Sequence, residues 1–179
     1  NQDASEKENL NATIEAIKFA INSGVKIINY SSGGSGKSTL EKEVISLAKK
    51  NDVLLIAAAG NFGENIDTEG LEYFPASYTN ENIISVINHG PKYNLHKTSN
   101  FGLKNADLSA PGTRILGAIP SNRLGNLTGT SQATAFVSGT AGLIKGINNN
   151  LKFHTIKKII LSTTTRVTAL KSKCLTSGA

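Results

Sequence analysis

Leu10, Ile14, Ile17 and Ile21 recur at intervals of four, three and four, which places them on one face of a helix. Gly24 follows as the helix stop. Residues 25–30 are short and rich in apolar and β-branched side chains, the pattern of a buried strand. A polar, glycine-rich stretch leads to Ser38, which stands three residues before Glu41 in the spacing of a capping box. Leu40, Val44 and Leu47 predict the apolar face of a second helix, and Asn51 its end. Residues 53–59 are apolar without interruption, as in a parallel strand covered on both faces.

Helix, strand, helix and strand with short links predict a parallel sheet built by right-handed crossovers, and so an α/β fold. Residues 60–82 form a long loop, a length usually kept for function. A strand is predicted over 83–88, with two shorter ones near 106–109 and 114–118. Thr130–Ile147 reads as a helix in spite of Gly139, Gly142 and Gly146, whose small size permits close packing on a sheet. A further helix spans 153–161. The ends, 1–8 and 170–179, carry little that would anchor them. No internal repeat divides the chain, so residues 1–179 are read as belonging to one domain.

Composition narrows the function. Of 179 residues, 39% are apolar and 6% aromatic, with 17 glycines and neither Met nor Trp. That suits tight strand–helix turns better than a helical bundle. No apolar run approaches the roughly 18–20 residues of a membrane span, and residues 1–10 do not have the build of a signal peptide. The net charge of +6 is spread over scattered lysines. Without aromatics interleaved among them, they predict a solvated basic surface and no nucleic-acid partner. A single cysteine, Cys174, excludes an internal disulfide framework and a multi-cysteine zinc site. No metal-ligating set and no cofactor is evident.

One motif asks for nucleotide. Residues 31–39, Ser-Ser-Gly-Gly-Ser-Gly-Lys-Ser-Thr, nearly match the phosphate-cradling G-x-x-x-x-G-K-[ST] loop between strand and helix. The first glycine is absent, since Ser31 stands five residues before Gly36. The best candidate for a magnesium-holding strand runs into Gly60-Asn61 with no acid. A nucleotide-binding module is therefore a remote alternative.

Three other stretches carry more: Ala57-Ala58-Ala59-Gly60-Asn61 at the end of a buried strand, Phe74-Pro75-Ala76 in the long loop, and Gly129-Thr130-Ser131-Gln132-Ala133-Thr134-Ala135 entering a helix. With Ile27-Ile28-Asn29-Tyr30-Ser31-Ser32-Gly33-Gly34, Ser99-Asn100-Phe101-Gly102 and Leu108-Ser109-Ala110-Pro111-Gly112, six segments fall in one order. In that order the chain, from about residue 8 to 179, resembles the subtilisin-like serine proteases, the subtilases.

The resemblance implies a three-layer subtilisin-like fold with a central, mostly parallel sheet between helices. It implies Ser131 as nucleophile at a helix N-terminus, where amides and dipole favour negative charge. The Ser131 backbone N–H and the Asn61 side chain would form the oxyanion hole, supported by the Thr130 hydroxyl. Ser31, Ser32, Gly33 and Gly34 would pair with a polypeptide substrate. Ala58, Ala59 and Gly60 would form the other wall of the primary specificity pocket, with Tyr73 or Glu72 near its base. Pro75 matches a position that is often a cis proline.

A serine nucleophile needs a base and a group that orients it. In the subtilases Asp and His precede Ser, in motifs upstream of the region that residue 1 resembles. His89, His96 and His154 lack that context and are read as surface residues. Asp107 is read as structural. The resemblance therefore implies that the N-terminal part of the catalytic domain is a partner of this segment, and that the segment alone is inactive. The rival is a non-catalytic, peptide-binding subtilase-like protein. The family's strongest calcium site uses N-terminal residues outside this chain, which leaves calcium open for the full-length protein; near Ala76 and Tyr78, where the family has a weaker site, the loop is one residue longer and no calcium is assigned. Secretion or a cell-surface location follows from the family only.

Overall fold

The structure is a computed structural model and describes residues 5–179. Its elements in order are α1 (Glu6–Asn22), β1 (Ile27–Tyr30), α2 (Thr39–Lys50), β2 (Leu54–Ala58), β3 (Ile83–His89), β4 (Leu108–Pro111), β5 (Ile115–Ile119), β6 (Arg123–Leu127), α3 (Thr130–Ile147) and α4 (Phe153–Ser162). A 3₁₀ turn, Thr168–Leu170, follows.

Strands β1, β2, β3 and β4 lie side by side in that order, every pair parallel. The alternation of β2 sends its side chains to two cores. Leu55 and Ala57 pack with Ile14, Ile17, Ile21, Val44 and Ile45 under α1 and α2. Leu54 and Ile56 pack with Ala133, Val137, Ala141, Ile156 and Ile160 under α3 and α4. Helices thus cover both faces, and β2 and β3 are buried along their whole length. The expected three-layer α/β architecture with a parallel sheet is what the chain adopts.

Several local expectations change. α2 buries Glu41, Val44, Ile45 and Ala48 and leaves Leu40 57% and Leu47 42% exposed. The helix is turned so that Glu41 faces inward, where its carboxylate accepts from the Tyr30 hydroxyl at 2.7 Å and the Tyr78 hydroxyl at 2.9 Å. Only half of the expected capping box forms: Ser38 Oγ accepts from the Glu41 N–H at 3.2 Å, while the Glu41 side chain is occupied by the tyrosines. The full capping box belongs to α1 instead. There the Ser5 N–H donates to Glu8 Oε2 at 2.8 Å and the Glu8 N–H to Ser5 Oγ at 3.3 Å. Residues 5–8 are therefore anchored; residues 1–4 lie outside those described.

The C-terminal segment is also anchored, against expectation. Leu170 and Cys174 are fully buried. The Leu175 and Thr176 N–H groups donate to Ala106 and Asp107 carbonyls at 2.8 and 3.0 Å, and the Ser109 N–H to the Gly178 carbonyl at 2.9 Å. These bonds join segments some 70 residues apart, so no local pattern announces them. The other addition is β6, which pairs antiparallel with β5. The three-residue turn between them, residues 120–122, places Ser121 and Asn122 at φ 69° and 53° without a glycine.

Candidate active site

The site lies at the C-terminal ends of β1 and β2 and the N-terminus of α3, where ligands of parallel sheets gather. β2 ends at Ala58, and Gly60, at φ 101°, turns the chain sharply. Only glycine fits there: a Cβ on Gly60 would fall 2.3 Å from Asn100 Nδ2 and 3.0 Å from the Tyr73 ring. Asn100 sits within this turn, donating to the Ala59 carbonyl at 2.8 Å and accepting from the Phe62 and Glu64 N–H groups at 2.9 and 3.1 Å. The start of the long 60–82 loop is thereby fixed.

Asn61 and Thr130 meet across the site. Asn61 Oδ1 accepts from the Thr130 N–H at 2.8 Å and from Thr130 Oγ1 at 3.2 Å. Thr130 Oγ1 in turn accepts from the Gly60 N–H at 3.2 Å. Because a backbone N–H can only donate, the oxygen of the Asn61 amide must face Thr130. Its NH₂ group then points away, and among the described residues it meets no acceptor. Thr130 is fully buried, whereas Asn61 is exposed.

Ser131 is the second residue of α3. Its Oγ donates to the Ser31 carbonyl at 2.8 Å, and Ser31 Oγ donates to the Ser131 carbonyl at 2.9 Å. This reciprocal pair ties the end of β1 to α3, and Ser138 Oγ extends it by donating to Asn29 Oδ1 at 2.8 Å. Ser32, Gly33 and Gly34 continue outward as an exposed segment. Gly34 exchanges backbone hydrogen bonds with Phe74 at 2.9 and 2.7 Å. The Phe74–Pro75 peptide is cis, as the resemblance implied. Ser131, Asn61, Thr130, Ser31, Ser32, Gly33, Gly34, Ala58, Ala59 and Gly60 are thus gathered into one region.

Other candidates fall elsewhere. Ser38 caps α2, and its N–H donates to the Tyr78 hydroxyl at 2.9 Å. The glycine-rich loop borders a cavity of about 440 Å³ that Glu41 also lines. With amides of Gly34 and Ser38 engaged and a buried carboxylate at the wall, this loop does not make a phosphate cradle. His89 is 4% exposed, which corrects its reading as a surface residue: it ends β3, where the sheet interior continues, and its Nδ1 lies 2.8 Å from the Gly90 carbonyl. His96 is half-buried against Thr98, and His154 is exposed beside Phe153. No histidine is hydrogen-bonded to Ser131 among the described residues. Asp107 is structural: it accepts from the Ser85 N–H at 2.8 Å and pairs with Lys157 at 3.8 Å. Burial raises its carboxyl above the usual aspartate range, against the pull of Lys157.

Of Tyr73 and Glu72, Tyr73 is the one whose ring lies against Gly33 and Gly60. Glu72 turns back to accept from the Gly70 N–H at 2.8 Å. Near Ala76 and Tyr78, the cavity is lined by Lys104 and Lys157 as well as Glu81 and Asp107. Both carboxylates already pair with lysines, Glu81 with Lys49 at 2.6 Å. This charge set does not suit a calcium ion. Among the described residues no helix is long and apolar enough to cross a membrane.

The sequence profile of the Subtilase family matches residues 3–175. The chain is similar to the major intracellular serine protease of Bacillus subtilis, 43% identical over 133 residues, covering 74% of this chain and 40% of that protein. It is 31% identical over 156 residues to subtilisin DY of Bacillus licheniformis, covering 87% of this chain and 56% of the relative. Among solved structures, the prenylagaramide maturation protease PagA superposes with a TM-score of 0.81 at 31% identity, over 92% of this chain and 62% of its own. The chain thus spans 40–62% of the lengths of these proteins. The profile, the relatives and the shared fold agree with the six ordered segments: this chain belongs to the Subtilase family.

Proposed function

We propose that this chain is the nucleophile-bearing part of a serine endopeptidase domain, cleaving peptide bonds through an acyl-enzyme on Ser131. The observation that carries this is the Asn61–Thr130 contact, which turns the Asn61 NH₂ outward beside the N-terminus of α3.

A peptide would lie along residues 31–34 with its scissile carbonyl at Ser131. Attack by Ser131 Oγ moves the carbonyl electrons onto oxygen. The Ser131 backbone N–H and Asn61 Nδ2 receive that charge, and Thr130 fixes Asn61 from behind. Collapse expels the amine and leaves the acyl-enzyme, which water then hydrolyses. The histidine base and its carboxylate partner would come from the rest of the domain, so the isolated segment would turn over little or no substrate. The share of each relative left unmatched supports a longer domain, as does the surface of α3, where Phe136, Leu143 and Ile147 are 49%, 74% and 88% exposed. The rival is a non-catalytic protein that holds a peptide on residues 31–34. For location, secretion is the family expectation, and one relative is named as intracellular.

The test uses full-length protein and a mixed peptide substrate. Ser131→Ala is expected to abolish hydrolysis. Asn61→Ala should lower kcat by about 10²–10³-fold with KM little changed, the magnitude known for this donor in subtilisin itself. Peptide binding without hydrolysis by the unaltered protein would favour the rival.

A further inference from the structure

The two walls of the cleft next to Ser131 are held apart by one aromatic ring. A Cβ on Gly33 would stand 2.6 Å from Tyr73 Cε1 and 3.1 Å from its Cζ. A Cβ on Gly60 would stand 3.0 Å from Tyr73 Cγ and 3.1 Å from its Cδ1. The far half of the ring therefore lies on the wall formed by residues 31–34, and its near half on the wall formed by residues 58–60. Both walls are glycine where the ring touches them, so there is no side chain to withdraw and widen the gap.

The ring is also held from behind. The Tyr73 N–H donates to Ser77 Oγ at 3.1 Å, and its carbonyl accepts from the Ser77 N–H at 2.8 Å. The next residue, Phe74, is bonded to Gly34 through both backbone groups. The ring packs against the buried cluster of Ala59, Ile66 and Ile87 and lies 6.1 Å from the Phe62 ring. Tyr73 is half-buried, and burial pushes its phenol above the ordinary tyrosine range.

We propose, building on the assignment of Ser131 as nucleophile, that Tyr73 fills the recess for the substrate residue on the acyl side of the scissile bond and restricts that residue to glycine, alanine or serine. Side chains of that size need no space beyond the peptide backbone lying on Gly33. A leucine or phenylalanine would have to displace a packed ring from between two glycine walls, and close-packed protein yields to such overfilling only at a cost. Selectivity here is exclusion by a filled volume, the arrangement in which shape alone discriminates well, because the larger side chain has nowhere else to go.

The experiment measures kcat/KM of the full-length protein on one peptide series with Gly, Ala, Ser, Leu or Phe at that position, with Ser131→Ala as blank. The expected result is an alanine substrate preferred over phenylalanine by about 100-fold or more. Tyr73→Ala should raise kcat/KM for the phenylalanine substrate at least about tenfold, and Tyr73→Phe should keep the unaltered preference. Ser131-dependent hydrolysis in which phenylalanine or leucine matches alanine overturns the role of Tyr73 and leaves the protease assignment standing. So does a folded Tyr73→Ala variant with the original preference. If that variant does not fold, the profile of the unaltered protein decides alone. Absence of Ser131-dependent hydrolysis overturns the protease assignment and the role of Tyr73 with it.

Discussion

Thr130 has the densest set of obligations in the site. Its hydroxyl accepts from the Gly60 N–H, donates to Asn61 Oδ1 and is wholly buried. Replacing it with valine keeps the shape and removes both bonds, which should cost about 1–3 kcal/mol through the stranded Gly60 N–H. If Asn61 is the oxyanion donor proposed above, Thr130 positions it, and the substitution should act on kcat and not on KM, since the donor is needed only when oxyanion charge develops. Thr130→Ser should restore most of the loss. Steady-state kinetics on the three full-length proteins, alongside urea unfolding, separate the two effects. Gly60 is constrained differently. Gly60→Ala would force a Cβ to 2.3 Å from the Asn100 amide at φ 101°. The strain and displacement together should cost roughly 2–5 kcal/mol, read as a lowered denaturation midpoint. An unchanged midpoint would mean that Asn100 yields freely.

At the scale of elements, α2, β1 and the long loop are joined through Glu41, Tyr30 and Tyr78. Burial is the main cause that raises both phenols far above the ordinary tyrosine value, with the Glu41 carboxylate adding to it. A group whose pKa is raised by folding contributes stability that is complete below its unfolded value and lost as pH rises toward the folded one. The protein should therefore hold its melting temperature up to about pH 10 and lose it progressively above that. Tyr30→Phe should make the alkaline decline shallower while costing about 1–3 kcal/mol at neutral pH, because Glu41 Oε1 loses its donor. Melting curves from pH 8 to 11 for the two proteins test this, and parallel declines would remove Tyr30 from the explanation. The same cluster explains why helix periodicity misplaced the face of α2. Counting only apolar residues selected Leu40 and Leu47, whereas the element turns inward a carboxylate to which two distant tyrosine hydroxyls donate.

For the whole molecule, α3 is the informative helix. One side, Ala133, Val137 and Ala141, is packed on the sheet, and the other carries exposed Phe136, Leu143 and Ile147. A helix apolar on both sides is normally covered on both. If the rest of the domain covers this side, Leu143→Ala in the full-length protein should cost about 2–5 kcal/mol. A change within about 0.5 kcal/mol would leave Leu143 in water there too.

The sequence by itself determined the alternation of elements, the continuous burial of β2, and the types of residue at the site. Those depend on local periodicity, on glycine's steric freedom and on chemical identity. Ser131, Asn61 and the glycines of residues 33–34 could be named as candidates because several weak motifs occur in one order. What only the tertiary structure decided was which groups meet. The Asn61 amide is oriented by Thr130, the tail from 170 to 179 is paired beside β4, His89 is drawn into the interior, and Tyr73 rather than Glu72 lies between Gly33 and Gly60. All but the burial of His89 join residues far apart in sequence. Their cause is the packing of the sheet and its loops in three dimensions, and no local pattern in the chain carries that information.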